Sequence, residues 1–136
     1  MTPKEKAKEL QAELIKILPE VIHDDSGQYP SDEALEFIEK FDCAKYGCLS
    51  LAEFIEQVWW ASDWGYNLKG KRKKKLQLST GGWSGNEDII RALKNNFVFW
   101  SMCWVETKRG GHYTFEIKNI SELFESLVNC GKENCE

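Results

Sequence analysis

The chain has 136 residues, 42% hydrophobic and 29% charged, which suits one domain over residues 1–136 with one ordinary core. No apolar run approaches the ~20 residues that cross a bilayer, and the charged N-terminal stretch lacks a secretory apolar segment, so a membrane protein, a secreted precursor and a collagen-like chain are not expected. The net charge of −4 is unevenly spread: residues 1–66 hold six lysines against fourteen acids, whereas residues 67–78 hold six basic groups and no acid.

The acidic front half makes nucleic acid an unexpected partner. The basic strip can still steer a small anion to one face. Five cysteines, without a leader, fit free thiols in a reducing cytoplasm. Two pairs share a C-x4-C spacing, Cys43/Cys48 and Cys130/Cys135. Four thiolates brought together would suit zinc, but the spacing is loose, so no metal and no cofactor are expected.

In chain order, Leu10, Leu14, Ile17, Leu18 and Val21 recur at helical spacing and predict an amphipathic helix over 4–18, stopped or kinked by Pro19. Residues 23–30 read as a loop. Ser31 is the predicted N-cap of a second helix burying Leu35, Ile38 and Phe41. A third helix is predicted from a Ser50/Glu53 capping box to about Trp60. The segment between them, Asp42 to Glu53, is similar to a twelve-residue EF-hand loop. Its third and fifth positions are Ala44 and Tyr46, too few oxygens for calcium. Residues 64–67 read as a turn, and 69–75 as a basic loop leading into a strand.

From residue 76 the pattern changes. Leu76–Ser79 predicts a short strand, and a helix follows from Ser84 or Asn86 to about Asn95. The nearly continuous apolar run 97–105 predicts a central strand covered on both faces. Residues 107–111 predict a hairpin turn, and His112–Lys118 alternates as a strand, with Tyr113, Phe115 and Ile117 on one side. Ile120–Val128 predicts a closing helix, followed by a frayed tail. The whole reads as α+β. A helical subregion, 1–62, contains an EF-hand-shaped helix–loop–helix without calcium ligands. A β-α-β-β-α subregion, 76–129, forms a small, mainly antiparallel sheet.

Two segments carry chemistry. Thr80-Gly81-Gly82-Trp83-Ser84-Gly85-Asn86-Glu87 follows a strand and opens a helix, an arrangement that cradles phosphate in unrelated folds. It is neither a P-loop nor a dinucleotide fingerprint. A reciprocal Ser84/Glu87 capping box would use some of its donors, and Trp83, set between glycines, could stack on a base. The second segment is Arg109-Gly110-Gly111-His112-Tyr113, with Glu106 across the hairpin. Arg109 suits a phosphate. His112 with Glu106, Glu116 or Glu87 could act as an acid–base pair on a phosphodiester.

These two motifs, with Phe99, Trp100, Trp104 and Phe115 between and after them, resemble a family of small proteins encoded by tailed phages and prophages. The resemblance covers about residues 76–117. It implies a phage-infected bacterial cytoplasm and a site made from the glycine loop plus the hairpin, and it implies no reaction. The expected function is therefore an accessory binder of a phosphate-bearing or nucleotide-like ligand, acting as counter-defence by sequestration. The alternatives are a small phosphodiesterase or nuclease using His112, and an inhibitor whose acidic half contacts a host bacterial protein.

Overall fold

The structure, a computed structural model, describes residues 2–71 and 73–117. Helix α1 (Pro3–Ile17) starts at a true capping box: Thr2 Oγ1 accepts from Glu5 N, and the Glu5 carboxylate accepts from Thr2 N. It buries no residue, and the Glu13–Lys45 ion pair at 3.0 Å ties it to the rest. Helix α2 (Asp32–Lys40) is capped by Ser31, as its sequence predicts, and buries Ala34 and Ile38. The segment that follows is a helix–loop–helix whose loop holds the short α3 (Cys43–Tyr46). Asp42, the first position of the EF-like stretch, caps α3 by accepting from Lys45 N at 3.1 Å. Helix α4 (Cys48–Val58) begins directly after Gly47. The predicted Ser50/Glu53 capping box is therefore absent, and Ser50 Oγ donates instead to the Tyr46 carbonyl.

Residues 62–69 differ from expectation. They form a one-turn helix α5 (Ser62–Gly65) and then strand β1 (Tyr66–Lys69), not a turn. Tyr66 is half-buried on the sheet, and its hydroxyl donates to the Ala52 carbonyl at 2.7 Å. Strand β2 (Lys74–Ser79) pairs antiparallel with β1, so the basic stretch is the connection of a hairpin, in line with the expected loop leading into a strand, with Lys69 at the end of β1 and Lys74 and Lys75 opening β2. Helix α6 (Ser84–Asn95) follows.

The largest correction concerns 97–105. This run forms helix α7 (Phe97–Cys103) and then β3 (Trp104–Lys108), an edge strand exposed along its whole length. Strand β4 (His112–Ile117) completes a four-stranded, wholly antiparallel sheet in the order β1-β2-β4-β3. The central strands are thus β2 and β4. The predicted helix at 120–128 and the tail, with Cys130 and Cys135, lie outside the described residues.

One continuous cluster of buried side chains joins both halves of the chain. Ile38, Leu51 and Ile55 from the helices meet Leu76, Leu78 and Phe115 from the sheet, with Leu93 and Phe99 between them. The strand alternation explains it. Leu76 opposes Phe115 and Leu78 opposes Tyr113, all turned toward the helices. Lys75, Gln77 and Ser79, with Glu116, Thr114 and His112 opposite them, turn the other way.

Candidate functional site

The glycine loop and the β3–β4 turn meet. Thr80, buried at the end of β2, donates its N–H to the Gly111 carbonyl at 3.0 Å. Gly111 has φ +80°, and a Cβ there would run into Thr80 Oγ1. The close approach therefore requires glycine. One position back, Ser79 Oγ lies 2.8 Å from His112 Nδ1, across 33 positions of chain. The contact exists because β2 and β4 set Ser79 directly opposite His112. Gly81 and Gly82 form the exposed bend beside it.

The rest of the loop is structural. The Trp83 ring stacks on Tyr29 on one side (centroids 5.1 Å apart, planes at 24°) and on Trp60 on the other (4.6 Å, 22°). Both faces are covered, so it offers no wall to a base. Asn86 is committed as well: Oδ1 accepts from Trp60 N at 2.9 Å, and Nδ2 donates to Trp60 O at 3.1 Å. Gly85 sits where a Cβ would crowd Trp83, Tyr29 and Pro30. The predicted Ser84/Glu87 box is not made. Trp83 is the N-cap residue of α6, no side chain caps it, and Ser84 and Glu87 are exposed.

On the hairpin, His112 and Arg109 are exposed, and Lys108 stands opposite His112. Glu106 is not the partner of His112. It opposes Thr114 and forms an ion pair with Lys108 at 3.7 Å. Glu116 opposes Lys75, farther along β4. Tyr113 faces the helices, near the Trp100 ring and 5.9 Å below the Lys94 ammonium. The structure thus gathers Thr80, Gly81, Gly82, Arg109 and His112 at one corner and turns Trp83, Asn86 and Tyr113 away from it. Ser79 is the residue that motif reading passes over. Its role depends on the β2–β4 register, which short-range pattern does not encode.

Chemically, the corner offers an imidazole held through Nδ1, the exposed Arg109, Lys108 with its Glu106 partner, and an exposed glycine bend. Among the described residues, no side chain bonds His112 Nε2, and no carboxylate orients the ring. No group of three metal-ligating side chains suited to an ion occurs among the described residues.

Cys43, Cys48 and Cys103 are buried together where α3, α4 and α7 meet. The Cys103 contact lowers the Cys48 thiol, but the Cys43 contact and burial outweigh it and push Cys48 up to about 12, the mark of an inert core thiol. Two grooves, of about 420 and 830 Å³, lie on the helical side around α1, α2 and α4. Neither is lined by residues of the corner. No family model, curated protein or solved structure matches the chain.

Proposed function

We propose that the protein is a non-enzymatic binder of a small phosphate-bearing anion, held at the corner where the glycine bend meets the β3–β4 turn. The observation that supports this most directly is the pairing of Ser79 with His112 at 2.8 Å beside the Thr80–Gly111 bond. It leaves the exposed imidazole on the turn that also carries Lys108 and Arg109, with Gly81 and Gly82 following Thr80. Charge-assisted donors of this kind are the strong phosphate partners. Trp83 is taken up by Tyr29 and Trp60 and supplies no platform for a base. The ring beside the bend is Trp64, 68% exposed and lying against Gly81, and the phosphate is the part of the ligand that the cationic groups hold. In the phage setting that the motif resemblance implies, such a protein would sequester a host phosphorylated signal.

Thermal shift with inorganic phosphate, pyrophosphate and a nucleotide panel tests this. A ligand at a hundred times its Kd stabilises by about 2.7 kcal/mol. The midpoint should rise for at least one phosphate compound, and the rise should vanish in His112→Ala and Arg109→Ala, which keep the fold. A flat response across the whole panel rules the reading out.

A further inference from the structure

The basic strip is built into the sheet. Lys69, the last residue of β1, stands directly opposite Lys75 of β2. Lys71 and Lys73 lie in the connection, and all four are exposed. Like charges directly opposite in an antiparallel pair are destabilising, so the arrangement works against the fold. Lysine on an edge strand guards against unwanted pairing, which accounts for Lys69. Lys74 braces the turn by donating to the Gly70 carbonyl at 3.1 Å. Lys75 has Glu116 opposite it on β4, a stabilising cross-strand pair. None of these explanations covers Lys71 and Lys73, exposed between the strands.

Lys69 and Lys75 share the face turned away from the helices. Farther along, the same face carries Asn67 and Gln77 and then Ser79, His112 and Lys108. Asn67 Nδ2 donates to Gln77 Oε1 at 3.3 Å. From Lys75 to Ser79 is a run of about 13 Å at ~3.3 Å per residue. A duplex carries one phosphate charge per ~1.7 Å of axis over its two strands, so a run of this length faces several phosphates. The acid-rich helices α2 and α4 pack on the opposite face, and Glu116 and Glu106 are the acids on this one.

We infer that this face, from the basic hairpin to the Ser79–His112 corner, binds the phosphodiester backbone of a nucleic acid without reading its bases. Protein interfaces centre on aromatic and arginine anchors, and the outward residues of β1 and β2, Asn67, Lys69, Lys75, Gln77 and Ser79, supply neither. Clustered lysines gain affinity from regularly spaced phosphates by counterion release. The exposed Trp64 ring beside Gly81 can stack on any base, so the binding carries no strong base preference. The local charge of the hairpin governs here, not the net charge that makes nucleic acid unexpected from the sequence. The inference is carried by the hairpin and is separate from the small-anion reading of the corner.

Fluorescence anisotropy on the full chain, with a short labelled oligo-dT and a short labelled duplex, tests it. Binding should weaken about a hundredfold between roughly 50 and 200 mM salt if four duplex phosphates are engaged. The salt slope should fall by about one for each lysine removed in Lys71→Gln, Lys73→Gln and Lys75→Gln; the first two lie outside the ladder, so their fold is not at risk. Absence of binding to both probes at about 50 mM salt overturns the inference. So does a slope that the lysine variants leave unchanged, or equal competition by poly-glutamate, which would mean an acidic protein partner. If Arg109→Ala and His112→Ala abolish binding while the lysine variants match the parent, this inference fails and the small-anion reading stands.

Discussion

Asn96 holds three helices with one side chain. Its Nδ2 donates to the Ile38 carbonyl at 2.9 Å and the Phe41 carbonyl at 3.0 Å, closing the end of α2. Its Oδ1 accepts from Phe99 N at 3.1 Å, capping α7, and its backbone N–H closes α6. The side chain is buried, so truncation strands two carbonyls and one amide, each worth roughly 1–3 kcal/mol when left unpaired. Asn96→Ala should lower stability by about 3 kcal/mol in urea unfolding. Asn96→Asp should do at least as much, because a carboxylate would face two carbonyl oxygens. Asn95→Ala, one exposed position earlier, should stay within about 0.5 kcal/mol. In the sequence, the Asn95-Asn96 pair reads only as the end of a helix. That the same amide reaches 58 positions back to α2 is a long-range fact that no local pattern carries.

At the level of elements, the amphipathic segments were legible and the continuous apolar one was not. The second helix is marked by the Ser31 cap and by polar residues between its buried ones, and β4 by its alternation; both are present where expected. The run 97–105 has a single polar residue, Ser101, too little to set a period, and a short apolar run suits a buried strand or a helix equally. The cap at Asn96 decides for a helix, which leaves Phe97 79% exposed and Phe99 fully buried against Phe115. A central strand would have covered both. Phe99→Ala should therefore cost about 3–5 kcal/mol, and Phe97→Ala about 0.5 kcal/mol or less. Equal losses from the two in denaturant melts would contradict the helix. Strand β1 was missed for a different reason. Tyr66 and Leu68 face inward while Asn67 and Lys69 face out, but four residues between a turn and a lysine run are too few to show the alternation. The approach of the glycine loop to the hairpin was legible. The covered Trp83 was not, because Tyr29 and Trp60 come from distant segments.

Across the whole molecule, two short-range hairpins lie side by side. Strands β1 and β2 are joined by four residues and β3 and β4 by three, so each pair needs little chain to close. The β2–β4 ladder is different: Ser79 and His112 are 33 positions apart, with α6 and α7 between them. Loop entropy must be spent before that seam returns any contact energy. The seam is therefore the step for which refolding waits, with each hairpin assembled beforehand on its own side. In stopped-flow refolding, Phe115→Leu should slow the folding arm of the chevron, whereas Leu68→Ala on the outer strand should mainly quicken unfolding. The reverse pattern would place the kinetic nucleus in the outer hairpin.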